Sequence, residues 1–362
     1  MFYARPMSIR RQPTPARGAR SNAVGRFERH GREALDDGWD LVEEVPPLRT
    51  EVTEEVARSV ITRNTSPDIS FDRSINPYRG CEHGCVYCFA RPSHAYLGLS
   101  PGLDFETKLI ARPNAAEVLE RELRRPSYCC DVIAIGTNTD AYQPIERDRR
   151  VMRGVLEVLA RFRHPVGIAT KGVLIERDVD ILREMGQAGL ARVGISVTTL
   201  QRDLARRMEP RVPSPARRLQ AIETLSKAGV PVRVMVSPLV PGLTDHEVEG
   251  IVDAARDAGA VAASMIPIRL PREVADLWQE WLAEHYPERV GRVMSKLRDM
   301  HGGKAYEAEF GKRMRGEGIW ADLLQQRFKR AVRAAGLAER LPPLRCDLFE
   351  VPFAKGDQLA LF

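Results

Sequence analysis

No run of eighteen apolar residues occurs in the 362-residue chain, so no transmembrane helix is implied. The arginines of Met1–Arg11 are not followed by an apolar h-region, so this stretch does not read as a signal peptide. Cysteine is scarce, with six residues in the whole chain. A disulfide framework does not suit a chain of this length that has no secretory signal. Charge of one sign is not extreme either: the formal net charge is +6 and the pI is near 9.1. These absences point to a soluble protein of the cytoplasm, a reducing compartment. At 43% hydrophobic, the chain can bury one large domain or two modest ones.

The few thiols that are present are concentrated. Cys81-Glu82-His83-Gly84-Cys85-Val86-Tyr87-Cys88 puts three of the six cysteines within eight residues, spaced C-x3-C-x2-C. Thiolates ligate soft metals and iron–sulfur clusters. Three of them leave one position of the centre open to a ligand, and a cubane held this way keeps one iron free. A structural zinc site is the competing assignment, with His94 or Cys346 as fourth ligand. Such sites space their cysteines as C-x2-C or C-x4-C pairs across a longer loop, and a single triple fits that poorly. His83 and His94 read as solvent or loop contacts, because three thiolates suffice.

The C-x3-C-x-aromatic-C pattern resembles the cluster loop of the radical S-adenosylmethionine (SAM) superfamily. Ser74-Ile75-Asn76-Pro77-Tyr78-Arg79-Gly80 before it resembles the branch related to spore photoproduct lyases. So do Phe105-Glu106-Thr107-Lys108, Thr139-Asp140-Ala141-Tyr142-Gln143-Pro144 and Ser237-Pro238-Leu239-Val240-Pro241-Gly242. The resemblance spans roughly residues 65–300. It implies that Cys81, Cys85 and Cys88 bind three irons of a 4Fe–4S cluster and that SAM chelates the fourth. An external one-electron donor of flavodoxin or ferredoxin type would reduce the cluster. Cleavage of SAM would then give a 5′-deoxyadenosyl radical that abstracts hydrogen from a substrate.

The chain divides, on its pattern, into a basic, largely disordered arm and lead-in (1–65), a core (66–270), a helical extension (271–345) and an extended tail (346–362). From Asp68–Ile75 onward, apolar strand-like runs alternate with amphipathic helical patterns. The runs are Val132–Ile135, Val166–Ala169, Val193–Val197, Val232–Val236 and Val261–Ile268. Between them Val151, Val155 and Leu159 step by fours. Val179, Leu182 and Met185 step by threes, as do Leu219, Ile222 and Leu225. This alternation means a parallel α/β sheet of about six units. Periodicity does not separate an open doubly wound sheet from a barrel; the resemblance implies a partial (β/α)6 TIM-like barrel.

Active residues of parallel α/β folds sit at the carboxyl ends of strands. That rule nominates Gly136–Asp140, Thr170-Lys171-Gly172, Ser196, Thr198, Thr199 and Ser237. A lysine at a strand tip supplies a point charge for the SAM carboxylate, and the resemblance implies Lys171 and Ser196 as SAM contacts and Tyr87 as packing near the adenine. Spore photoproduct lyases use a cysteine as hydrogen donor near the tip that reads Thr137-Asn138-Thr139 here, where there is no thiol. Either the reaction differs or another residue, such as Tyr142, supplies the hydrogen. Cys129 and Cys130 precede their strand and read as structural.

Two arginine groups remain: Arg5, Arg10, Arg11, Arg17, Arg20, Arg26 and Arg29, then Arg202, Arg206, Arg207, Arg211, Arg217 and Arg218. Such clusters meet phosphate backbones or are solvated faces. The basic loop Gly311–Gly316 reads as flexible and able to touch a polymer substrate. Gln358-Leu359-Ala360-Leu361-Phe362 looks like the peptide by which bacterial repair and replication proteins dock on the sliding clamp, through Gln358, Leu359, Leu361 and Phe362. Three functions are therefore open: a radical SAM enzyme on nucleic acid, one on a small molecule or protein, and a non-catalytic zinc-binding nucleic-acid adaptor.

Overall fold

The computed structural model describes residues 16–28 and 48–353. Among the described residues, ten strands form two sheets. The larger runs β10 (Ala262–Pro267), β9 (Val232–Leu239), β8 (Ala191–Ser196), β7 (Val166–Thr170), β6 (Ile133–Ile135), β3 (Arg73–Ile75) and β2 (Ile61–Arg63). All its pairs are parallel except β2 with β3 at one edge. The six parallel strands are those expected from the sequence, and with their helices they make the curled α/β partial barrel. Lys108–Ala111 (β5) belongs to the smaller sheet, between β1 (Glu51–Glu54) and β4 (Tyr78–Arg79).

Each crossover helix buries the face its apolar spacing marks. Val151, Met152, Val155, Leu156 and Leu159 are buried from helix Val151–Arg161, and Ile222 and Leu225 from Pro215–Lys227. Helix Pro215–Lys227 starts with Ser214 accepting from the Arg217 amide at 3.4 Å and Pro215 in its first turn. Several helices stop in the same way. Ala188-Gly189, Ala228-Gly229 and Ala258-Gly259 follow helix ends, and each glycine has positive φ. The next amide then returns to the helix, as Leu190 N does to Met185 O at 2.7 Å. Reversal is complete in two residues, and the following strand begins at once.

Beyond β10, helices Val274–His285 and Val290–Met300 bury a second apolar cluster that reaches Tyr87 and Cys85. Trp278 and Trp281 stack at 4.9 Å in its centre, fully buried as their spacing suggests. After helix Gly318–Ala334 the chain straps the opposite face of the barrel. Ala338 bonds the start of β10, Arg345 N donates to Gly189 O, and Glu350 N donates to Phe162 O, all at residues that precede strands. Phe349 packs on Phe162, His164 and Tyr128 there. Cys130 and Cys346 meet thiol to thiol at the same end.

Candidate functional site

The three-cysteine loop is held over the strand tips by bonds from both sides. Cys81 N donates to Phe105 O, Glu82 N to the Gln143 side chain beyond β6, and Val86 N to Met208 O beyond β8. Gly84 turns the loop with φ +68°, and a Cβ there would come within 2.7 Å of the Glu106 carboxylate. Beneath it lies a fully buried ion pair, Arg91–Glu106, at 2.5 Å. Arg91 also donates to the carbonyls of Cys85, Gly84, Pro101 and Gly102. One guanidinium therefore fixes the backbone on both sides of the turn. This explains the chemistry of the Phe105-Glu106-Thr107-Lys108 stretch, whose glutamate carries the pair.

Residues 16–28, expected as part of a basic arm, lie against this loop. Gly18 and Ala19 donate their amides to Glu106 at 2.9 and 2.8 Å, and Arg17 is buried against Glu106 O and Leu48 O. Arg26 pairs with Glu273 at 2.7 Å. Arginines 5, 10, 11 and 29 lie outside the described residues, as do Gln358, Leu359, Leu361 and Phe362.

Half of the second arginine group is also paired within the fold. Arg218 is fully buried, paired with Glu209 at 2.6 Å and donating to Ser196 O at 3.0 Å. Arg211 pairs with Glu82, and Arg217 with Glu176. In the loop Gly311–Gly316, Arg313 binds Asp68 at 2.5 Å and Lys312 reaches Glu309 and Glu317. Arg211, Arg217 and Arg313 answer carboxylates far away in sequence, which a reading by runs could not detect.

Lys171 and Tyr87 converge on the loop. The Lys171 Nζ is 5.8 Å from the centroid of the Tyr87 ring. Burial disfavours the lysine's charge, but Cys85, Glu209, Asp140 and Cys88 outweigh it and hold its pKa above the ordinary value. Ser196 is buried at the end of β8. Glu209, which sequence reasoning missed, organises this side. Its carboxylate accepts from the Tyr87 hydroxyl, from Thr198 at 3.0 Å and from Arg218. Burial opposes its charge, yet Arg218 and Lys171 keep it below the usual carboxylate range. Asp140 was named only within a motif. It accepts from Thr170 at 2.5 Å and from the Lys171 amide at 2.7 Å, and lies 3.3 Å from His83 Nδ1. Burial works to raise its pKa, and His83 and these hydrogen bonds overcome that to hold it at about 2. His83 and His94, expected as solvent or loop contacts, are both buried, which excludes solvent and leaves the loop contact. Tyr142 is buried with its hydroxyl donating to Asp178 at 3.2 Å, and its charged neighbours are Asp178, Glu146 and Arg177 rather than the cysteine loop.

The donor set fits a cationic cluster. Burial pushes the Cys81 and Cys85 thiols up, and neighbouring thiols add to this. Bare thiolates are therefore disfavoured here, and a group that supplies positive charge to several sulfurs is what would ionise them. Among the described residues, no three His, Cys, Asp or Glu side chains converge as the ligands of a single metal ion would. A cubane asks less of its ligands, since each thiolate meets a different iron.

Fold and site together describe a partial-barrel enzyme whose chemistry is centred on a group held over the strand tips. Residues 75–255 match the radical SAM superfamily, and the chain belongs to that superfamily. It is an enzyme of radical-based, SAM-dependent chemistry, which removes the zinc adaptor from consideration. An uncharacterised protein of Mycobacterium tuberculosis is 38% identical over 64% of this chain and 68% of its own. An uncharacterised protein of Methanocaldococcus jannaschii is 25% identical over 61% of this chain and 79% of its own. Among solved structures, spore photoproduct lyase in complex with dinucleoside spore photoproduct superimposes with a TM-score of 0.57 at 15% identity, covering 79% of this chain and 81% of that one. That likeness shows a shared fold. No helix among the described residues is long and apolar enough to cross a membrane.

Proposed function

We propose that Cys81, Cys85 and Cys88 hold a 4Fe–4S cluster, that Lys171, Tyr87 and Ser196 seat SAM, and that the substrate is a nucleic-acid component. The convergence of three thiols with Lys171 and Tyr87 over the strand tips carries this reading. When bound, the cluster held by Cys81, Cys85 and Cys88 would supply an electron to SAM, and SAM would supply the radical chemistry that takes hydrogen from the substrate.

The chain's own part is to bind, orient and exclude. Lys171 keeps a fixed positive charge where the SAM carboxylate would lie, and Glu209 and Asp140 hold that charge in place. The hydrogen bond from Tyr87 to Glu209 fixes its ring beside the lysine, a flat apolar surface suited to an adenine. The buried Arg91–Glu106 pair and residues 16–28 close the loop against water.

A nucleic-acid substrate is supported by a spore photoproduct lyase structure that carries AdoMet and a dinucleoside photoproduct. The absence of a thiol at Thr137–Thr139 argues for a reaction other than photoproduct reversal. The arginines of 1–15 serve as an arm for phosphate backbones, the C-terminal peptide docks on a sliding clamp, and a flavodoxin- or ferredoxin-type donor reduces the cluster, in the cytoplasm.

The protein is purified without oxygen and reconstituted. The expected product is brown, with about four irons per chain. It converts SAM to 5′-deoxyadenosine under dithionite and loses this in Cys85→Ala. A colourless protein with no SAM cleavage would refute the proposal.

A further inference from the structure

The inner face of the barrel contains a cavity of about 160 Å³ below the strand tips. Thr137 and Ala169 line its upper end, and Ala169 lies two residues before Lys171. Small residues, Gly167 and Gly194 among them, keep the space open. At the other end stand Arg192 and Arg233, each the second residue of its strand. Strand register sets Arg192 opposite Gly167 and Arg233 opposite Gly194. The Arg192 side chain lies across Gly167, where a Cβ would be 3.6 Å from its Nε.

These two guanidiniums are anomalous. Three buried or half-buried arginines of the site have carboxylate partners: Arg91 has Glu106, Arg218 has Glu209 and Arg211 has Glu82. Among the described residues, neither Arg192 nor Arg233 pairs with an acid. Arg192 reaches only Pro342 O, at 3.5 Å, and the buried Nε of Arg233 has no partner. They stand close enough that burial and then Arg192 lower the pKa of Arg233, while burial alone lowers that of Arg192. Arginine does not give up its proton in proteins. The cavity thus holds two like, partly buried charges with no acid among its lining residues, an arrangement that favours an anion.

We infer that Arg192 and Arg233 form a phosphate-binding site at the base of the barrel lumen, which anchors the substrate through a phosphate while its reacting carbon faces the strand tips. Two cations suit a phosphate, which offers oxygens to two planar forks at once. The cavity is smaller than the roughly 300–1,000 Å³ of pockets for whole drug-sized ligands, so it takes the phosphate end of a molecule. Four residue steps along β8 lead from Arg192 to Ser196, about 13 Å of strand, a span on the scale of a nucleotide-sized group. The inference rests on the reading that the lumen below the SAM site takes the substrate, and it names the chemistry that recognises it. The phosphate belongs to a free nucleotide-like molecule or to an extruded unit of a strand.

The test uses the full chain, reconstituted without oxygen. Calorimetric titration with a deoxynucleoside 5′-monophosphate, a deoxydinucleotide with one internal phosphodiester, and the phosphate-free nucleoside reads the site. A phosphate-bearing ligand is expected to bind, with affinity falling at least tenfold in both Arg192→Gln and Arg233→Gln, and the nucleoside is expected to show no arginine-dependent binding. Preference for the monophosphate assigns a free phosphorylated substrate, and preference for the dinucleotide a strand; both support the site. Should either variant fold poorly, inorganic phosphate is titrated into the wild type against matched sodium chloride. A saturable rise in melting temperature with phosphate alone supports the site, and identical responses overturn it. Equal affinity in wild type and both variants also overturns it. SAM cleavage is scored in parallel, so a wild type that cleaves SAM but binds no phosphate-bearing ligand refutes only the anchor, while a wild type that binds phosphate but does not cleave SAM refutes only the proposed function.

Discussion

Replacing Glu209 by glutamine tests whether the buried carboxylate under Tyr87 organises the SAM side of the site. The side chain keeps its shape, so packing is preserved and only the charge is lost. Arg218, with none of its side chain exposed, then stands buried without its 2.6 Å partner. Breaking a buried pair by removing one member costs about 3–5 kcal/mol. Glutamine still offers an oxygen to Tyr87 or Thr198, so the lower end applies, about 3 kcal/mol, or about 150-fold in the folding equilibrium. In urea, with a slope of about 3 kcal/mol/M for a large domain, the midpoint falls by about 1 M. Adding Arg218→Met removes the stranded charge, and the double variant is expected to recover at least half of the loss. A Glu209→Gln variant within about 0.5 kcal/mol of wild type, or a double variant no better than the single, would refute the reasoning.

Lys171→Met is expected to weaken SAM binding by about 10–100-fold, the worth of one hydrogen bond to a charged group, and an unchanged dissociation constant in an anaerobic SAM titration would count against the assignment. The fully buried His164 shows the sign of a pH effect. Its Nε2 meets the Tyr128 hydroxyl at 2.7 Å and its ring packs on Phe349. Burial lowers its pKa from 6.5 to about 4. The unfolded state therefore binds the proton more readily, so this contribution is complete above about pH 6.5 and is lost as the pH falls toward 4. From pH 7 to 5 the loss is about 2 kcal/mol, and His164→Gln should flatten the slope of denaturation midpoint against pH by that amount; an unaltered slope would exclude the histidine.

The cysteine loop was legible in the sequence because its ligands are local: three thiols in one turn carry their meaning in their spacing. The parallel strands and their helices were legible for the same reason, since apolar period acts over a few residues. Whether the sheet curls was not legible, because period is blind to curvature. Lys171 could be nominated by rule, as a polar residue at a strand tip. Glu209 could not, since it follows β8 by thirteen residues and gains its role only when Tyr87, Thr198 and Arg218 are brought to it. The arginines show the same division. By count they formed basic clusters, but the fold gives Arg17, Arg211, Arg218 and Arg313 acids or carbonyls distant in sequence and leaves Arg192 and Arg233, in no cluster, without an acid. Sequence by itself determined the chemistry that needs neighbours along the chain. Tertiary structure decided which charges are compensated, because Coulomb energy depends on distance through the folded protein and not on separation along it.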